Sequence, residues 1–363
     1  MRIVVAGGGY AGIACLARLA RLLPRAERHL LDASAWHLRR TRLHEVLRRP
    51  LGDLRVDLAT LARRWRFRHH HVHLDWTPAR LAQWSATGRL PAGRGELAFD
   101  ALVIATGLRQ LEVGPPAGLG VVALDALATG GGVAALKRLV RARDPVWVAG
   151  AGASGLQCLF ELAGARPGGS LGVAEAEDEI MAAQPRALRR HVAVLLRTSH
   201  IEVRTAHRYA GWSAGRMRLA AADGTRLERA AGVLLCTGPV RPRLDADASG
   251  RVIAGGAPLA RVFAAGDCAR WADVAHDAAT AQAAVRKGRH VAGTIARVVS
   301  GRAPAAWEAP RLGFFLSLGP RDAVGWAFHR AALVDGRAAV AAREAVEARW
   351  ELLLKGVDTF GAL

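Results

Sequence analysis

The chain has 363 residues, 51% of them hydrophobic and 23% charged, enough to bury two or three domain cores and too much for a single small module. Its formal net charge is +20 at pH 7 and comes almost wholly from arginine, because Lys137, Lys287 and Lys355 are the only lysines. Charge of that size favours anionic membrane or nucleic acid. The arginines are nevertheless spread along the chain rather than gathered into one arm, so nucleic acid is not the expected partner.

Met1 leads straight into an apolar run and a glycine cluster, with no charged leader or cleavage pattern before them. No apolar stretch reaches the roughly 18 residues of a membrane span. The expectation is a cytoplasmic protein, with peripheral association at the inner face of the cell membrane and a homodimer both left open. The four cysteines, Cys15, Cys158, Cys236 and Cys268, are far apart in sequence and form no CxxC pair, so they read as small buried residues.

In chain order, residues 2–6 form a short apolar strand. Gly7, Gly9 and Gly12 follow, then Ile13, Leu16, Leu19 and Leu22 at helical spacing. A second strand, around Leu30-Leu31, ends in Asp32, 20 residues after Gly12. Residues 67–76 alternate as a strand, and 97–106 read as another that runs into Ala105-Thr106-Gly107. The first unit then recurs 143 positions on: the strand 145–149, Gly150, Gly152, Ser154 and Gly155, a helix through Leu162, and the strand 171–174 ending in Glu175, 20 residues after Gly155. The strand 233–236 runs into Thr237-Gly238, and 262–267 is a buried strand delivering Gly266 and Asp267 at its end. A long helix is expected over 279–299, a linker over 301–310, and a small cap from Leu312 whose last helix covers 344–355.

A lone GxGxxG says little. Here each copy follows a strand, opens a helix and is followed at a fixed distance by an acid, as a dinucleotide fingerprint requires. The glycines admit a pyrophosphate, the helix N-terminus offers it free N–H groups, and the acid accepts the ribose hydroxyls. Glu175 would repel a 2′-phosphate and so favours NADH over NADPH; Arg166, before that strand, argues the other way. In the run 69–73, His69, His71 and His73 share a strand face, but same-face neighbours lie too nearly in a row for a tetrahedral metal site, and surface histidines are expected.

Taken together, Gly7 to Gly12 with Tyr10 and Ala11, Asp32 with Trp36-His37, residues 102–107, residues 150–155 and residues 262–267 resemble the flavoproteins with two dinucleotide-binding domains, the pyridine nucleotide oxidoreductase family. Within it, residues 43–46, Ala281-Gln282 and residues 317–319 look most like type II NADH dehydrogenases, which reduce quinone. The resemblance implies an α/β fold with two Rossmann-like domains in a glutathione-reductase-like arrangement. It divides the chain into an FAD domain at 1–110 and 239–305, an NAD(H) domain at 111–238, and a C-terminal α+β cap at 306–363. It implies FAD held by the first glycine motif and Asp32, with Asp267 on the ribityl chain or pyrophosphate, and NADH held by the second motif and Glu175. Residues 105–107 and Gly238 lie among the cofactor-binding strand ends.

Family members that reduce disulfides carry a close cysteine pair near the first helix or the FAD-binding Asp. This sequence has neither, so electrons are expected to pass directly to an external acceptor. The chain departs from type II NADH dehydrogenases in having Gln157 where Glu is usual, and Arg286 where a second glutamine would join Gln282 beside the flavin. Gln157, Gln282 and Arg286 are thus the expected residues nearest the chemistry. Alternatives to a quinone reductase are a soluble NADH-dependent reductase of a protein or small-molecule acceptor, and a basic flavin-bearing interaction protein resembling apoptosis-inducing factor. Sulfide:quinone reductases are a neighbouring group that would need cysteines at the flavin.

Overall fold

The computed structural model describes residues 1–93, 95–108, 120–213, 215–238, 243–272, 279–308 and 313–359. Two sheets organise it. The larger has eight strands in the order Ala269–Trp271, Leu244–Ala246, Arg251–Ala254, Ala257–Ala264, Ala101–Ile104, Arg2–Ala6, Glu27–Leu31 and Arg68–His70. Its centre is parallel, with Ala6 opposite both Leu31 and Ile104. The smaller has five parallel strands in the order Glu202–Arg204, Leu171–Ala174, Val146–Ala149, Gly232–Leu235 and Val121–Ala123. There Ala149 stands opposite Ala174 and Leu235, repeating the register of Ala6. The central strands are continuous apolar runs because helices or a further sheet cover both faces. Trp147, for instance, packs with Met217 and Leu219 of the antiparallel sheet 208–229.

The strands of the eight-stranded sheet come from residues 2–104 and 244–271, those of the five-stranded sheet from 121–235. The expected boundary at 110–111, and residue 239 where the second FAD segment was expected to begin, lie outside the described residues. So do residues 309–312, where the expected linker ends and the cap begins.

Four elements differ from their sequence reading, the first being the strand expected at 262–267, which spans Ala257–Ala264 and ends three residues before Asp267. The run 67–76 yields only Arg68–His70, because this is the sheet edge and Val72 already turns back to bond the carbonyl of His70. Residues 95–104 split in two: Gly95–Ala98 pairs with Arg89–Ala92 as a separate hairpin, and only Ala101–Ile104 enters the sheet. The last helix begins at Gly336 and runs to Leu354. Its first two turns are alanine-rich and show no polar stripe, so periodicity was silent there although alanine favours helix. That helix also belongs to the large sheet's core through Trp350, Leu353 and Leu354, while the antiparallel strands Gly313–Ser317 and Ala323–Ala327 pack, through Leu316, Val324 and Trp326, with the five-stranded half.

Candidate functional site

The two glycine loops are built alike, residue by residue. Gly7 has φ +108°, and a β carbon there would meet the carbonyl oxygen of Ala105 at 2.3 Å; one on Gly12 would meet that of Gly7 at 1.9 Å. In the second loop Gly150 has φ +98° and would meet the carbonyl of Cys236 at 2.6 Å, and Gly155 would meet that of Gly150 at 1.8 Å. These four glycines are required by the chain itself. Gly9 and Gly152 are not: their φ values, −76° and −68°, suit any residue, and a β carbon on either would find nothing within 4 Å. Both are exposed N-caps of helices, Tyr10–Leu22 and Ala153–Ala165, and supply no side-chain acceptor to the first turn. Each loop therefore presents free N–H groups at a helix N-terminus beside an open surface, an arrangement suited to an anion.

The acids at the ends of the second strands repeat the symmetry. Asp32 accepts from the N–H of Gly8 at 2.6 Å and of Ser34 at 2.7 Å. Glu175 accepts from the N–H of Ala151 at 2.7 Å and of Glu177 at 3.2 Å. Each carboxylate ties its strand end to its glycine loop, and each oxygen retains acceptor capacity for a ribose hydroxyl. Arg166 is engaged elsewhere. It is buried, and its guanidinium donates to the carbonyls of Leu139, Val140, Ala142 and Asp144, closing the C-terminus of the helix Gly130–Arg141.

Residues distant in sequence complete the first site. Ala11 is pinched between Gly266, whose β carbon would lie 2.9 Å from that of Ala11, and Gly288 of the helix Ala281–Val299. This brings the turn of Gly266 (φ +79°) and half-buried Asp267 to the first helix. Among the described residues, the next helix after Asp267 has Thr280 at its N-cap. Ala105 is buried and bonded to the Ala6 carbonyl, while Thr106 accepts from the Trp76 indole at 3.2 Å and Gly107 has φ +67°. Gly238 is exposed at the corresponding end in the other sheet, and Ser154 is exposed in the first turn of its helix. Gln157 and Gln282 are half-buried on the two helices. Arg286 is not a fully solvated cation: burial and the neighbouring Arg349 of the last helix both lower its pKa.

Residues 43–46, noted above only for their resemblance, anchor an ion-pair network. Glu45 is fully buried and pairs with Arg42, Arg48, Arg49 and Arg343 at 2.8–3.1 Å. Burial alone would raise its carboxyl, but those arginines outweigh it and hold the pKa at about 2. Arg48 also pairs with Glu161, one turn beyond Gln157, whose carboxyl burial raises. The network joins the segment Arg40–Leu47, the second dinucleotide helix and the last helix. Arg42, Arg48 and Arg49 lie within four positions of Glu45, but Arg343 lies 298 positions away, so the tie to the last helix was not legible in the sequence.

Cys15, Cys158 and Cys268 are buried and Cys236 is half-buried, but Cys158 and Cys236 are neighbours, with thiols in hydrogen-bond contact that raises the pKa of Cys236. Both are free thiols behind the second glycine loop. Of the histidines, His69 meets the carbonyl of Asp32 at 3.0 Å, and His70 meets His29 at 2.9 Å, so these two support the sheet edge rather than facing only solvent. Among the described residues no cluster of three or more His, Cys, Asp or Glu side chains could hold a metal ion, and no helix is long and apolar enough to cross a membrane.

No curated relative matches the chain by sequence. Among solved structures it is similar to a sulfide:quinone oxidoreductase from Aquifex aeolicus, with a TM-score of 0.82 at 15% identity over 99% of this chain and 92% of that one. It is also similar to NDH2 from Plasmodium falciparum in complex with NADH, at 0.76 and 10% over 95% and 94% of the two chains. A NAD-dependent persulfide reductase from A. fulgidus follows at 0.70 and 21%, over 90% of this chain and 64% of that one. At such identities these likenesses speak for the fold. The pyridine nucleotide-disulphide oxidoreductase family matches residues 1–288, and the chain, with its paired parallel sheets and duplicated glycine loops, belongs to that family.

Proposed function

We propose that this protein is an FAD-dependent NADH dehydrogenase that passes electrons to an external acceptor, most simply a quinone. The observation that supports this best is the pair of glycines, Gly9 and Gly152, that neither backbone angle nor packing requires, each beside an open surface at a helix N-terminus. Glycine at such a position makes room for something outside the chain. FAD, when bound, supplies the electron-accepting ring, with NADH as the hydride donor.

The first loop and the first turn of Tyr10–Leu22 would hold the FAD pyrophosphate, Asp32 the adenosine ribose, and Asp267 the ribityl chain or pyrophosphate. The second loop would hold the pyrophosphate of NADH and Glu175 its ribose. With Arg166 committed to helix carbonyls, no cation from that residue offsets the repulsion between Glu175 and a 2′-phosphate, which supports NADH over NADPH. Gln157 would stand nearest the nicotinamide and Gln282 nearest the acceptor. Likeness to a sulfide:quinone oxidoreductase supports a quinone, and likeness to NDH2 in complex with NADH supports the hydride donor. Arg286, one turn from Gln282 and half-buried, favours a second reading, a soluble reductase of a polar or protein acceptor, since a cation beside an apolar ring costs desolvation energy. Steady-state NADH oxidation by the FAD-loaded protein against short-chain quinone, ferricyanide and oxygen decides between them. Preference for quinone supports the first reading; turnover with ferricyanide but no quinone supports the second.

A further inference from the structure

His37 is completely buried on the short strand Trp36–Leu38, and both of its ring nitrogens are engaged. The Trp350 indole, which can only donate, gives its N–H to Nε2 at 3.2 Å. The remaining proton therefore sits on Nδ1, which donates to the carbonyl oxygen of Gly8 at 2.8 Å. The N–H of the same Gly8 is held by Asp32 at 2.6 Å. Because a trans peptide is planar, fixing the Gly8 carbonyl also fixes the direction of the Gly9 N–H, which must point away from His37. Tyr10 closes the arrangement: its ring lies 4.8 Å from that of Trp350 and 5.2 Å, edge-on, from His37, and its hydroxyl pairs with Thr41 at 2.7 Å.

Trp350 arrives from the last helix, more than 300 positions from the loop it steadies. That helix is anchored independently by ion pairs of Arg39 with Glu347 and Arg343 with Glu45, so its indole is presented from a fixed support.

We propose that Trp350 and His37 are positioning residues for the flavin: through the Gly8 carbonyl they orient the Gly9 N–H, and the last helix thereby contributes to FAD affinity without touching FAD. The inference rests on the reading that the first glycine loop binds FAD. If the two side chains merely fill space, a change that keeps their volume and removes a hydrogen bond will leave FAD binding unchanged.

The test is FAD titration of deflavinated full-length protein, followed by flavin fluorescence, for wild type and for Trp350→Phe, His37→Leu and His37→Asn, with near-UV circular dichroism confirming the fold of each. Phenylalanine keeps a benzene ring at 350 but loses the N–H together with the five-membered ring, so the H37N and H37L pair, matched in size, separates hydrogen bonding from volume. Asparagine keeps a donor where Nδ1 stood, and leucine does not. W350F and H37L should each weaken FAD binding about tenfold, the scale of one hydrogen bond between buried groups, and H37N, which keeps the donor to Gly8 but loses the acceptor for Trp350, should fall between H37L and wild type. Unchanged affinity in W350F and H37L, or a folded H37N as weak as H37L, overturns the inference while FAD binding by the wild type stands. Failure of the wild type itself to bind FAD overturns the functional reading beneath it. Should H37L not fold, the comparison of W350F with H37N decides: the inference expects W350F to bind FAD more weakly than wild type, and unchanged affinity in both variants overturns it.

Discussion

A β carbon on Gly288 would lie 2.1 Å from the carbonyl oxygen of Ala11. The helix that carries Gln282 and the helix that opens at the first glycine loop therefore cross at backbone contact, and no flexible side chain there can yield. Gly288→Ala should lower stability by about 2–4 kcal/mol and reduce retained flavin. Gly293→Ala on the same helix meets nothing within 4 Å and should be neutral or stabilise by up to about 1 kcal/mol through helix propensity. Thermal denaturation of the two variants checks the contrast; equal losses would refute the crossing.

The roles of the glycines within one loop should separate in the same way. Gly9→Trp should fold, since its backbone angle is ordinary and its surroundings are open, yet should purify with little flavin. Gly12→Ala places a β carbon on the Gly7 carbonyl and should compromise folding itself. Circular dichroism and flavin content measured on both variants distinguish a ligand's space from a packing requirement. A flavin-replete Gly9→Trp protein would remove the FAD assignment from this loop.

Much of this was legible in the sequence. Both glycine motifs, their acids and the strand Leu171–Ala174 fall where the pattern put them, because an apolar run ending in glycine before a helical repeat is a local signal. What could not be read depends on pairs distant in sequence. Gly288 looks like a weak point in a helix until Ala11 is packed against it. Trp350 looks like one apolar residue of a surface helix until His37 is beneath it. Edge effects account for the shortened strand at Arg68–His70, where only one neighbour supplies hydrogen bonds.

Nicotinamide specificity should follow Glu175. The wild type should show a higher kcat/KM for NADH than for NADPH, and Glu175→Ala should narrow that ratio about tenfold or more. Arg166→Ala should leave the ratio unchanged while lowering stability, because its guanidinium caps a helix. A shift in the ratio on losing Arg166 would return that residue to the ribose site.

Acid should destabilise the fold through His37. Burial pushes its pKa from 6.5 down to about 4, with Arg39 lowering it further and the Gly8 carbonyl and Asp32 opposing. The unfolded chain thus binds a proton that the folded chain refuses, so stability is full above about pH 6.5 and declines as pH falls toward 4, by on the order of 3 kcal/mol. Below pH 4 this contribution is exhausted. Denaturant midpoints across that window should slope upward with pH in the wild type and more gently in His37→Asn. Equal slopes would show that His37 is not the group responsible.

The acceptor half of the reaction should depend on the helix Ala281–Val299. Gln282→Ala should slow flavin reoxidation by quinone while leaving reduction by NADH nearly unchanged, and Arg286→Gln should improve quinone turnover by removing a partly desolvated cation. Stopped-flow measurement separates the two half-reactions. If both substitutions leave reoxidation untouched for every quinone tried, the soluble reductase reading replaces this one.

Anaerobic titration of the purified, FAD-reconstituted protein with NADH tests the proposed function most directly. One equivalent of NADH per bound FAD should bleach the visible flavin absorbance, and Asp267→Ala should bind less FAD to begin with. A wild type that stays colourless after incubation with FAD, or whose bound flavin is not reduced by excess NADH, would contradict it.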